Sequence, residues 1–236
     1  MEISTAFVAG ATGFTGRAVV EILCKRGVNT FAHVRPDSPS LDKWRESFSA
    51  IGAHIDTTSW DDEKKLAATI NAISPGVVFS LLGSTRRRAR LEGLPAKAAY
   101  ETVDYGLTVR LLEAAEASSV KPRFVYLSAL GADKGHGEYM KARKRAEERI
   151  RRSELPWIIA RPSFITGKRD EPRRGEKLAA TVSDTCLAAL RRLGAGRLQD
   201  RYGSTSNRAL ADRLVELALD PAAAGGIFEG PLLTVG

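Results

Sequence analysis

Several features are scarce in this chain, and each scarcity excludes something. Only two cysteines, Cys24 and Cys186, occur in 236 residues, with no CxxC pair. That usage excludes a disulfide framework and points to a reducing compartment. The three histidines, His33, His54 and His136, stand far apart, and no GxSxG segment accompanies them. Neither a metal centre nor a serine-hydrolase site is expected from such a pattern. Apolar runs are short, as in Val77-Val78-Phe79-Ser80-Leu81-Leu82, whereas a membrane-spanning helix needs about 20 such residues. The opening Met1-Glu2-Ile3-Ser4 has neither the basic nor the apolar region of a secretory signal. A soluble, cytoplasmic chain that does not enter a membrane is the expectation. Helix-turn-helix, zinc-finger and aromatic RNA-reading patterns are also missing, so nucleic acid is not an expected partner.

What is present is an ordinary globular balance, 43% hydrophobic and 27% charged, which excludes a disordered or fibrous chain. The excess of 36 basic over 28 acidic residues gives a net charge of +8, compatible with an anionic ligand but not specific for one. Short β-rich runs alternate with longer helical patterns. Strands are expected at residues 5–9, 29–34, 53–56, 77–82, 124–127 and 157–160. Helices are expected at 16–26, 61–71, 96–117 and 139–152, with Gly27 placed to end the first one in a left-handed conformation. This repetition predicts an α/β fold of the Rossmann type, a doubly wound parallel sheet with helices on both faces. Beyond Pro162 the rhythm weakens. A polar loop at 167–175, helices at 177–193 and 207–219 and a short strand at 227–229 complete the reading. The whole of 1–236 reads as one domain, with a small C-terminal substrate lobe from about residue 160.

The most specific signal is Gly10-Ala11-Thr12-Gly13-Phe14-Thr15-Gly16, which follows the first strand and opens the first helix. In a dinucleotide-binding turn the first glycine permits the tight bend, the second lets backbone approach a pyrophosphate, and the third lets the helix pack close to the sheet. The helix N-terminus then offers unpaired N–H groups and a positive dipole end to the phosphates. A tight βα turn without a ligand is the plainer alternative. About 20 residues further on, NAD-binding folds place an acidic residue against the ribose 2′-hydroxyl. This chain has Arg35 there, whose planar fork suits a 2′-phosphate. NADP(H) is therefore expected over NAD(H), with Arg17 as a second cation for the same phosphate. The competing reading of Arg35 is a solvated strand-end residue.

These residues, together with Leu82-Gly83-Ser84-Thr85-Arg86, Leu127-Ser128-Ala129-Leu130-Gly131-Ala132-Asp133-Lys134, Tyr139, Arg161-Pro162 and Arg173-Arg174-Gly175-Glu176, resemble the atypical short-chain dehydrogenase/reductases. Within that family the likeness is to the Tat-interacting-protein-like oxidoreductases, and it runs through nearly the whole chain in motif order. The resemblance implies that Asp56 and Thr57 lie against the adenine. It places Leu82, Gly83 and Ser84 along the phosphates and the nicotinamide-side ribose, and Pro162 and Phe164 beside the nicotinamide. It also implies a catalytic trio: a serine or threonine that binds the substrate carbonyl, a tyrosine acid, and a lysine four residues after the tyrosine.

The trio is altered in this chain. Tyr139 is present, but the fourth residue on is Arg143, and lysines stand only at Lys141 and Lys144. Positions four apart share a helix face, so Arg143 is the cation left to stabilise a tyrosinate and donate to a ribose hydroxyl. Ser128 ends the fifth strand, whereas the family's serine falls one or two residues later, at Ala129 and Leu130. Tyr139, Arg143 and Ser128 are thus the catalytic candidates, each with a plain structural alternative. The basic run Arg86, Arg87, Arg88 and Arg90 follows the fourth strand, on the ligand side of such a sheet, and suits an anionic small-molecule substrate. Two functions compete, with an isomerase or dehydratase that keeps its cofactor tightly bound as a weaker third. One is an NADP(H)-dependent oxidoreductase on a small carbonyl compound. The other is a redox-inactive NADP(H) sensor or assembly factor that meets a protein partner. The pattern names neither a substrate nor an oligomeric state.

Overall fold

The computed structural model describes residues 3–84, 93, 95–163, 165–166 and 205–233. Phe164, the basic run 86–90, the loop 167–175, the expected helix 177–193 and Cys186 lie outside the described residues. Seven parallel strands form the central sheet: β1 (Thr5–Ala9), β2 (Asn29–His33), β3 (His54–Asp56), β4 (Val77–Ser80), β5 (Arg123–Leu127), β6 (Trp157–Arg161) and β9 (Gly226–Glu229), in the order β3-β2-β1-β4-β5-β6-β9. A separate two-stranded ribbon pairs β7 (Ile165–Thr166) with β8 (Thr205–Ser206).

Because a strand's side chains alternate between faces and both faces here are covered, successive residues enter different cores. Phe7, Val78, Phe124, Tyr126 and Ile159 face one side. There they meet Leu66 and Ile70 of α3 (Glu63–Ile73), Leu111 and Leu112 of α5 (Thr108–Ala117), and Ala146 and Ile150 of α6 (Gly137–Arg151). Their neighbours Val8, Phe79, Val125 and Ile158 face the other side, against Val19 and Leu23 of α1 (Phe14–Lys25), Phe48 of α2 (Leu41–Ser49), and Leu210 and Leu214 of α7 (Asn207–Leu219). Much of the segment read as a C-terminal lobe, α7 and β9, therefore completes the main layers. Among the described residues no helix is long and apolar enough to cross a membrane.

Two features differ from the sequence expectation. Helix α2 was absent from it, because only Phe48 of its nine residues is buried. The expected helix 96–117 is not uniform. After α4 (Ala96–Ala99) it widens into a π-helix at Tyr100–Leu107 before α5 begins. Such wide turns are rare inside α-helices and are frequent at functional sites. Here the buried residue of the π stretch is Asp104.

Candidate functional site

The strand order reverses at β1 and β4, so the crevice beyond their C-terminal ends is where ligands bind in folds of this topology. Parallel pairing brings the expected site residues to that one edge: Gly10 after β1, Arg35 after β2, Asp56 at the end of β3, Leu82 after β4, Ser128 after β5 and Pro162 after β6. The glycine turn is tightly built. Gly10 has φ +78°, and a Cβ there would lie 2.5 Å from the Leu81 carbonyl oxygen. A Cβ on Gly16 would lie 2.1 Å from the Gly10 oxygen. The Gly13 N–H donates to the Gly10 carbonyl (2.9 Å). Gly13 caps α1 with no side-chain hydrogen bond of its own. Thr15 is buried and Thr12 half-buried. Backbone approach without side chains, at a helix N-terminus, fits a pyrophosphate. Asn207, at the start of α7, donates from its side-chain amide to the Phe14 carbonyl (2.9 Å) and braces the turn from the far end of the chain.

On the adenosine side, Arg35 is exposed, its Nε 3.6 Å from Asp37, and the Arg17 guanidinium lies 5.7 Å from the centre of the Trp44 ring. Asp56 and Thr57 are half-buried. The Asp56 carboxylate accepts the Thr58 hydroxyl (2.7 Å) and N–H (3.4 Å), which shapes the turn after β3. Beneath it His33 is buried between Phe7 and Trp60 and donates from Nε2 to the Thr58 carbonyl (3.0 Å). Burial holds its imidazole below the usual histidine range, against the opposing pull of the Thr58 carbonyl and Asp56.

The substrate side holds the altered trio. Tyr139 is half-buried near the start of α6. Its ring meets Tyr100 edge-on at 5.3 Å, and both line a cleft of about 490 Å³ with Lys97, His136 and Met140. Arg143, one helical turn on, points inward and is only 4% exposed. Its Nη1 donates to the Leu127 carbonyl (2.6 Å) and the Tyr126 hydroxyl (3.2 Å). Its Nη2 donates to the Leu82 carbonyl (3.0 Å) and to Asp104 (2.7 Å). Four terminal N–H groups thus meet four protein acceptors. Burial opposes the charge of Arg143, but the oxygens of Tyr126, Tyr139 and Asp104 outweigh it and hold the group protonated above its ordinary range. Burial in turn pushes the Tyr126 phenol up to about 12.

Ser128 is engaged in a second buried network, where its hydroxyl donates to Glu147 (2.5 Å). Glu147 also accepts from Arg161 Nε (3.0 and 3.2 Å) and Nη2 (2.5 Å), and Arg161 Nη1 reaches Glu229 on the next strand (2.7 Å). Pro162, buried after β6, accepts the Leu130 N–H (2.9 Å). Sequence reasoning missed Asp104, Tyr100 and Glu147. Only Asp104 had a visible signal, since it falls on the stripe that Leu107, Leu111 and Ala115 continue, where an apolar residue belongs.

The turn between β1 and α1 has room for a dinucleotide pyrophosphate, and the profile of the NAD(P)H-binding family matches residues 10–189. The chain belongs to the NAD(P)H-binding family. Among its relatives is the protein FMP52, mitochondrial, of Coccidioides immitis, 28% identical over 191 residues that span 77% of this chain and 74% of that protein. Protein TIC 62, chloroplastic, of Oryza sativa subsp. japonica is 26% identical over 203 residues, 78% of this chain but 40% of the relative. In fold the chain resembles UDP-glucose 4-epimerase of Thermotoga maritima (TM-score 0.66, 18% identity, covering 95% of this chain and 75% of that one). It also resembles ChuY, an anaerobilin reductase of Escherichia coli O157:H7 (TM-score 0.63, 16% identity, covering 98% and 100%). At these identities the two structures attest the Rossmann-like fold alone.

Proposed function

We propose that this member of the NAD(P)H-binding family is an NADP(H)-dependent oxidoreductase of the atypical short-chain dehydrogenase/reductase type, acting on a small carbonyl compound. The carrying observation is the position of Tyr139. It lines an open cleft one helical turn from Arg143, whose Nη2 packs against Gly83 at the exit of β4. The turn Gly10–Gly16, Leu82 and Ser84 would hold the dinucleotide, and Arg35, which follows β2 where an NAD-binding fold places an acidic residue, supports preference for the 2′-phosphate. When bound, NADP(H) supplies or accepts the hydride. The chain's own part is to place a carbonyl in the cleft and move a proton at the Tyr139 hydroxyl. The Arg143 guanidinium, 5.2 Å from the Tyr139 ring centre, favours the negative charge that develops there. The test is NADPH consumption over a panel of aldehydes, ketones and quinones. Turnover is expected in the wild type and its loss, with NADPH binding kept, in Tyr139→Phe. Undiminished turnover in that variant would remove the role.

A second reading, a redox-inactive NADP(H) sensor or assembly factor with a protein partner, is favoured by one observation: both Ser128 and Arg143 are hydrogen-bonded inward. It expects NADPH binding with no turnover across the same panel. The cysteine usage supports a reducing compartment such as the cytoplasm. The names of the relatives place those proteins in mitochondria and chloroplasts, so fractionation of the tagged chain is the matching test.

A further inference from the structure

Asp104 is fully buried, and both of its carboxylate oxygens are engaged. Oδ2 accepts the Ser84 N–H (3.0 Å) and the Ser84 hydroxyl (2.5 Å), while Oδ1 accepts Arg143 Nη2 (2.7 Å). Arg143 in turn holds the Leu82 carbonyl (3.0 Å), and a Cβ on the intervening Gly83 would lie 2.8 Å from its Nη2. Leu82, Gly83 and Ser84 belong to no helix or strand. These three residues are nevertheless gripped at a carbonyl, at a Cα with no room for a side chain, and at an N–H with its own hydroxyl. The same guanidinium fastens the exit of β5 through the Leu127 carbonyl (2.6 Å). A buried ion pair adds little net stability over an apolar pair of the same shape, so folding alone does not account for this arrangement. Its hydrogen bonds go to the irregular backbone beyond β4, opposite Gly10, where the Leu81 carbonyl already touches the glycine turn.

We infer that Asp104 and Arg143 act together as positioning residues that set the backbone of Leu82–Ser84 as one wall of the dinucleotide crevice. The π stretch exists to bring the Asp104 carboxylate to that wall. This rests on the proposed dinucleotide site, and the test separates the two.

The experiment uses the full chain, with NADPH titration by calorimetry, urea unfolding, and amide hydrogen exchange at Gly83 and Ser84. In Asp104→Leu/Arg143→Met both charges go together, so neither is left buried without its partner. The expected result is an unfolding midpoint lowered by the orphaned Leu82, Leu127 and Tyr126 oxygens, an NADPH dissociation constant raised about tenfold, from lost hydrogen bonds that order the wall, and exchange of the Ser84 amide that speeds more than that of the β1 amides. A double variant that binds NADPH like wild type and protects Ser84 equally would overturn the inference. If the double variant fails to fold, Arg143→Lys serves. It keeps the charge opposite Asp104, but one ammonium cannot span Asp104, Leu82 and Leu127, so the affinity loss and faster exchange are still expected. If the wild type binds no NADPH, the dinucleotide reading fails, and exchange at Ser84 alone then decides whether the pair sets the wall.

Discussion

Gly16→Ala separates two opposed effects in the glycine turn. Gly16 lies in the first turn of α1, where helix propensity alone would make alanine more stable by about 1 kcal/mol. The new Cβ, however, would sit 2.1 Å from the Gly10 oxygen, 2.8 Å from the Gly10 carbonyl carbon and 2.9 Å from the Ala11 Cα. All three are backbone atoms, so no side chain can swing aside and the turn itself must open. Overpacking costs about 1–3 kcal/mol, and rigid backbone contacts place this site at the upper end. After the propensity gain, a net loss of about 1–2 kcal/mol is expected. An opened turn also misdirects N–H groups toward the phosphates, where a charge-assisted hydrogen bond contributes about 1.5–3 kcal/mol. NADPH affinity should therefore fall by about tenfold or more. Urea unfolding and calorimetry read the two effects separately. Gly27→Ala is the control, because Gly27 has φ +74° but nothing within 4 Å of a Cβ. It should cost about 1–2 kcal/mol for the left-handed backbone and leave NADPH affinity unchanged. A Gly16→Ala protein as stable as wild type, with unchanged NADPH affinity, would refute this reasoning.

Three further outcomes follow from the buried groups. His33 is held neutral by burial, below the 6.5 of an ordinary imidazole. Just below that pH the unfolded chain binds more protons than the folded one, so stability is fully present above about pH 6.5 and falls as pH drops toward the folded value. The urea midpoint should fall more between pH 7 and pH 5 in wild type than in His33→Phe, and equal slopes would contradict the assignment. In the second network, Arg161 is held charged above its ordinary range by Glu147 first and Glu229 next, against burial. Glu147→Ala leaves it with Glu229 at 2.7 Å and Asp133 at 3.8 Å, and a loss of about 3 kcal/mol is expected on unfolding. Ser128→Ala, which removes one hydroxyl donor from the same carboxylate, should cost about 1 kcal/mol. A Glu147→Ala protein as stable as wild type would show that Arg161 does not depend on this carboxylate.

The layers and the glycine turn were legible because they depend on local pattern. Near-continuous apolar runs mark strands covered on both faces, and 3.6-residue spacing marks the helices, so β1 and α7 have the expected bounds and α1 begins two residues early, at Phe14. Helix α2 carries too little apolar character to announce itself, with Phe48 as its only buried residue. The altered trio was legible as a change of residue type but not of direction. Whether Arg143 faces a ligand or the interior depends on Asp104, 39 residues away. Whether Ser128 is available depends on Glu147, 19 residues away. Such partners are chosen by tertiary packing, and only the polar residue on the apolar stripe at Asp104 hinted at it.

The most direct test is a paired calorimetric titration of the nucleotide-free protein with NADPH and NADH, repeated on Arg35→Ala. The account predicts tight NADPH binding, weak NADH binding, and an Arg35→Ala protein that loses most of this preference by weakening NADPH alone. Equal binding of the two nucleotides by the wild type would contradict the assignment of Arg35 to the 2′-phosphate, and no binding of either would contradict the dinucleotide site itself.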